Sequence, residues 1–153
     1  SRKYSMKSKE IRTTIRKELK NAKCSVTDKD YAHPSKSWVS GRLYSKFSKW
    51  LWDNNLDRWE TYNDCDNYAF ALRVFASLSH AKTMQVYHKM GRKTYQGVSI
   101  GVMFYKIAGD DNRRHAINFM VTSDNQLLYI EPQTGKWYEL TQEEKDSTWF
   151  AII

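Results

Sequence analysis

Apolar residues recur at spacings of three and four along the first half of the chain and at shorter spacings along the second. Ile11, Ile15 and Leu19 fall on one side of a helix predicted near the start. Leu43, Phe47, Trp50, Leu51 and Leu56 predict a second helix within residues 41–59, ending around Asp53-Asn54-Asn55, with Trp50, Trp52 and Trp59 as core or rim packing. Ala69, Leu72, Phe75, Ala76 and Leu78 predict a third over 64–78, capped by Asn63 or Asp64. After His80 the period shortens. Residues 84–87 read as a short strand, and 97–105 as a stronger one rich in β-branched and aromatic residues. Residues 115–122 and 126–131 form a predicted hairpin around Ser123-Asp124-Asn125, and 136–140 a last strand after the turn at Thr134-Gly135-Lys136. Gly109-Asp110-Asp111-Asn112 is a further turn, and 23–40, with His33-Pro34, reads as irregular. Helices first and antiparallel strands afterwards make an α+β order.

With 153 residues, 41% of them hydrophobic, the chain has material for one core. The expectation is a single domain over 1–153, with a basic lead-in at 1–40 and the core at 41–150. No apolar run approaches the roughly 20 residues that span a bilayer, and Ser1-Arg2-Lys3-Tyr4-Ser5 lacks the apolar centre of a signal peptide. A cytoplasmic protein is therefore expected, or a virion-associated one on the resemblance given below. Lysine and arginine number 25 against 17 acidic residues, a net charge of +8 concentrated before residue 50. That excess suits either a solvated basic face or an anionic polymer, nucleic acid included. The two cysteines, Cys24 and Cys65, exclude a multi-disulfide scaffold and a four-cysteine zinc site, and leave open one Cys24–Cys65 bridge. His33, His80 and His88 lack zinc-ligand spacing, and there is no glycine-rich phosphate loop.

Candidate chemistry centres on Asn63-Asp64-Cys65-Asp66-Asn67-Tyr68, which places a cysteine at the first turn of the third helix. Unpaired N–H groups and the positive dipole end favour a thiolate there. His115 and Glu131 follow in chain order and supply a base and a group to orient it. Turning at Asp124-Asn125 pairs residues whose numbers sum to about 249, which sets Glu131 opposite Asn118 and a few residues from His115.

Asp64-Cys65-Asp66-Asn67-Tyr68-Ala69 resembles the Asp-Cys-Asp-Asp-Phe/Tyr-Ala motif of bacterial transglutaminase-like cysteine peptidases and of the papain-like protease domain of a fungal agglutinin. Arg114-His115-Ala116-Ile117-Asn118 resembles the second motif, and Ile130-Glu131-Pro132-Gln133-Thr134 the Glu-Pro-Gln segment of the agglutinin-type domain and related phage-encoded proteins. The resemblance implies a papain-like/transglutaminase-like fold with nucleophile Cys65, base His115 and orienting Glu131. It also brings calcium, with Asp66 as candidate ligand, although Asn67 stands where the pattern has a second Asp. The papain-type glutamine is absent, so Gln133 and Asn63 are the candidate oxyanion donors.

The first expectation is a cysteine hydrolase, a peptidase, working through an acyl-thioester on a polypeptide; a cell-wall amide substrate or transglutamination are variants. The alternative is a non-catalytic binding or virion structural protein with the same fold. A third reading is a nucleic-acid binder.

Overall fold

The computed structural model describes residues 5–110 and 113–153. Two of the turn residues expected at 109–112, Asp111 and Asn112, and the first four residues of the basic start lie outside the described residues. The chain opens with strand β1 (Ser5–Lys7), helix α1 (Ser8–Glu18), and strands β2 (Lys23–Ser25) and β3 (Asp30–Ala32). A π-helical turn at Trp38–Leu43 leads into α2 (Tyr44–Asp53), and a loop then reaches the long α3 (Cys65–Lys89). Strands β4 (Gly97–Val98), β5 (Ile100–Lys106), β6 (Arg114–Val121), β7 (Leu127–Ile130) and β8 (Trp137–Tyr138) follow. Helix α4 (Gln142–Ser147) and strand β9 (Phe150–Ile152) complete the order.

Six strands form the main sheet in the order β2-β9-β5-β6-β7-β8, and β1-β3-β4 form a smaller one. The sheet is buried on both faces because its central strands carry almost unbroken apolar runs. Side chains alternate along β6. Ile117, Phe119 and Val121 enter a core with Ile11, Ile15 and Leu19 of the α1 segment. Met120, with Ile100 and Ile130, enters the opposite core with Phe47, Leu51, Leu72 and Ala76 of α2 and α3.

Three expectations are corrected here. The sheet is not an antiparallel unit made only of C-terminal strands, because β2 runs parallel to β9 and so inserts the N-terminal segment at its edge. Region 23–40 is not irregular, since it gives a strand to each sheet; strands of three residues are too short to show a period. Residues 84–87 are helical, because α3 runs on to Lys89 before Met90 and Gly91, the latter at φ 81°, end it. No glycine or proline interrupts it, and good helix formers such as Ala81, Lys82 and Met84 outweigh the short Val86-Tyr87 signal. No helix among the described residues is long and apolar enough to cross a membrane.

Candidate functional site

Cys65 is the first residue of α3, and Asp64 caps it. The Asp64 carboxylate accepts from the Asn67 N–H, while the Asn67 side-chain oxygen accepts from the Asp64 N–H at 3.1 Å. This reciprocal cap fixes where the helix starts, and so where the sulfur stands. The helix then lies close on the sheet through small residues. Ala69, Ala116 and Val102 form a tight buried cluster against which Cys65 packs. Asn118, fully buried on β6, donates to the Ala69 carbonyl at 2.8 Å and the Gly101 carbonyl at 3.1 Å, tying α3 to the strands beneath. Gly101 is required there: a Cβ would sit 2.4 Å from the Ile152 carbonyl oxygen and 2.5 Å from the Phe119 ring.

His115 is the second residue of β6 and sits edge-on to Tyr105 across the ladder, ring centroids 5.7 Å apart. Its Nε2 meets Glu131 Oε1 at 2.7 Å. Glu131 follows β7 directly and is held by a turn in which its N–H donates to the Lys136 carbonyl and its carbonyl accepts from Gly135, which adopts φ 75°. Tyr44 buttresses the turn from α2 by donating to the Pro132 carbonyl at 2.9 Å. The strand register pairs Asn118 with Ile130, one residue from the pairing expected, and the His115–Glu131 contact is direct.

Burial alone would lower the His115 pKa, but hydrogen bonds to Cys65 and Glu131, and the charges of both, outweigh it and push it up to about 9. With Nε2 committed to Glu131, Nδ1 is the nitrogen available to the thiol. The structure thus brings Cys65, His115 and Glu131 together, an arrangement that can hold a thiolate beside an imidazolium. Both cysteines are free thiols, so the Cys24–Cys65 bridge does not form. Cys24 is buried in β2, and its burial pushes the thiol pKa up.

The remaining candidates take other roles. Asn63 is not an oxyanion donor, because its side-chain NH2 is spent on the Leu56 carbonyl at 2.8 Å and the Arg58 carbonyl at 3.3 Å. Gln133 sits in the Glu131 turn, where its backbone N–H points to Glu131 Oε2 at 3.4 Å. Asp66 pairs with Asp64, whose pKa is raised first by that hydrogen bond. No group of three or more His, Cys, Asp or Glu side chains that could hold a metal gathers among the described residues. Sequence reasoning took Ala69 only as one of the apolar positions of the helix and Asn118 only as a register position, and gave Ala116 no role of its own. Their signal is a lone Asn inside an apolar strand, and Ala at the helix and strand positions that must touch.

Residues 7–151 match the family model of the ricin-type beta-trefoil lectin C-terminal domain. The chain belongs to that family. Its fold is shared by solved structures of similar domains in longer proteins. One is a PSL1a–E64 complex, with TM-score 0.77 and 16% identity, covering 99% of this chain and 52% of that one. Another is Polyporus squamosus lectin bound to the human-type influenza-binding epitope Neu5Acα2-6Galβ1-4GlcNAc, with TM-score 0.74 and 16% identity, covering 99% of this chain and 50% of the other. The chain therefore spans about half the length of these structures. No curated protein sequence matches it.

These findings correct the family read from the motifs. The lectin C-terminal-domain family and its fold replace the papain-like/transglutaminase-like peptidase family and fold. The cysteine hydrolase activity and the polypeptide or cell-wall amide substrate expected with that family are set aside with it. Three motifs of a few residues each specify a local arrangement of side chains, and the family model draws on nearly the whole chain.

Proposed function

We propose that this chain is a carbohydrate-binding module of lectin type, acting as part of a longer protein, and that Cys65, His115 and Glu131 form a reactive-thiol site within it. The observation that carries the binding reading is the family match over residues 7–151. The glycan bound to the structurally similar Polyporus lectin supports the ligand class. The thiol site rests on geometry, the 2.7 Å His115–Glu131 contact and the helix-start position of Cys65.

Two measurements test the two parts separately. Isothermal titration of the chain with Galβ1-4GlcNAc and with Neu5Acα2-6Galβ1-4GlcNAc should give saturable binding to at least one. Iodoacetamide labelling followed by mass spectrometry should modify Cys65 rapidly at neutral pH, and His115→Ala should slow it by about tenfold or more, since the thiolate is the reacting form. Slow labelling that His115→Ala leaves unchanged would remove the thiol site and leave the binding reading untouched.

A further inference from the structure

Helix α3 keeps its seat on the sheet only as far as Ala76, its last buried residue. None of residues 77–97 is buried, so the rest of the helix and the loop that returns to β4 stand off the body as an arm. The arm is braced along its length. His80 Nε2 donates to the Gln96 carbonyl at 2.8 Å and His88 Nε2 to the Thr94 carbonyl at 2.7 Å, while the Arg92 guanidinium lies 4.8 Å from the centre of the Tyr87 ring. Its apolar side chains are left in solvent: Leu78 is 60%, Val86 54% and Met90 66% exposed. With Lys82 they form a single row spaced by four along the chain.

The charge around this row has one sign. No Asp or Glu occurs between Asn67 and Gly109, where there are six Lys and Arg, nor between Tyr31 and Trp52, where there are four. The two stretches fold against each other, the Phe75 ring of α3 lying 5.4 Å from Phe47 and 5.5 Å from Trp50 of α2 between centres. Where they meet, Arg42 and Lys46 from one and Leu78, Ser79 and Lys82 from the other line a groove of about 430 Å3. Arg42, Lys46 and Lys82 take part in no ion pair among the described residues. On the arm's other flank the recess lining holds a single carboxylate, Asp28. An uncompensated cationic groove thus runs directly into an exposed aliphatic row.

We infer that this face, the groove together with the arm row, seats the protein on an anionic phospholipid surface, with Arg42, Lys46, Lys82 and Lys89 on lipid phosphates and Leu78, Val86 and Met90 between the headgroups. Neither the glycan reading nor the thiol site bears on it. Long cationic side chains reach phosphates while their stems cover apolar surface, and each gains from the negative potential of the leaflet. Aliphatic side chains next to them gain by leaving water for the acyl boundary. A nucleic acid fits less well, because leucine, valine and methionine give its bases no ring to stack on. A second copy of the same face is repelled by its like charge. The bracing matters too, since an arm already held in shape loses little conformational entropy on docking.

The test is co-sedimentation of the whole chain with phosphatidylcholine vesicles and with equimolar phosphatidylcholine–phosphatidylserine vesicles, using wild type, Arg42→Gln, Lys82→Gln, Met90→Asp and Lys17→Gln. All four positions are exposed, so the substitutions should leave the thermal melting profile in place. Wild type should partition onto the anionic vesicles about tenfold or more over the neutral ones, and raising salt from about 0.1 M to about 1 M should remove most of that preference. Arg42→Gln and Lys82→Gln should each weaken the anionic partition about fivefold, the share of one cation at a charged leaflet. Met90→Asp should weaken it about tenfold or more. Lys17→Gln removes the same charge from α1, which packs into the core on the other face of the sheet, and should change nothing. Equal partition onto both vesicles, or wild-type partition in Arg42→Gln, Lys82→Gln and Met90→Asp, would overturn the assignment. Loss in the two glutamine variants with Met90→Asp unchanged would overturn the seating of the aliphatic row. Binding of a single-stranded RNA in fluorescence anisotropy, or dimerisation in sedimentation velocity, without binding to either vesicle would overturn the lipid partner.

Discussion

At His115 two influences oppose each other. Burial disfavours the imidazolium, and the Cys65 and Glu131 contacts favour it more strongly, leaving a folded-state pKa of about 9 against the ordinary 6.5. A histidine raised in the folded state binds its proton more tightly there, so its contribution to stability is full below about pH 6.5 and is lost as pH rises through about 9. We predict that the urea midpoint of the wild type falls between about pH 7 and pH 9.5, and that Glu131→Gln flattens this part of the profile. Identical profiles in the two proteins would show that the pair is not coupled to folding. At this scale the sequence is informative where chemistry is local: the helix-start cysteine and the hairpin carrying His115 and Glu131 are both readable from short patterns. Asn63 was not readable, because the Leu56 and Arg58 carbonyls that occupy it belong to a loop whose path no periodicity marks.

At the scale of elements, the seat of α3 on β5 and β6 decides where Cys65 stands. Asn118 bridges the three, and replacing it with Leu leaves the Ala69 and Gly101 carbonyls without this donor in a dry core. We expect a loss of about 1–3 kcal/mol in chemical denaturation. Ala69→Leu should cost a similar amount by overpacking, about 1–3 kcal/mol, and should also move Cys65 off His115, which slowed iodoacetamide labelling would report. The periodicity that predicts α1 and the start of α3 works because one face of each is buried: Ile11, Ile15 and Leu72 are all fully covered. Beyond Ala76 the exposed face of α3 carries Leu78 and Val86, so its later turns lose the amphipathic pattern, and their end was read as a strand.

In the molecule as a whole, strand β2 from the N-terminal segment meets β9 from the C-terminal one. Strand β9 lies between β2 and β5, and the Ile153 carbonyl accepts from the Thr27 and Tyr31 hydroxyls at 2.8 and 3.0 Å. Deleting residues 150–153 removes a strand from within the sheet and leaves the buried Tyr31 hydroxyl without its acceptor. We predict loss of a single cooperative unfolding transition by circular dichroism and fluorescence; a truncated chain that melts as sharply as the full one would show that the N-terminal segment is docked independently. This closure was invisible in the sequence, since parallel pairing of three-residue strands at opposite ends leaves no local trace.

The central claim, a lectin-type module that binds carbohydrate, is tested most directly by calorimetric titration of the chain with Galβ1-4GlcNAc alongside Neu5Acα2-6Galβ1-4GlcNAc. The account predicts saturable binding to at least one of the two. Absence of binding to both at millimolar glycan would contradict it.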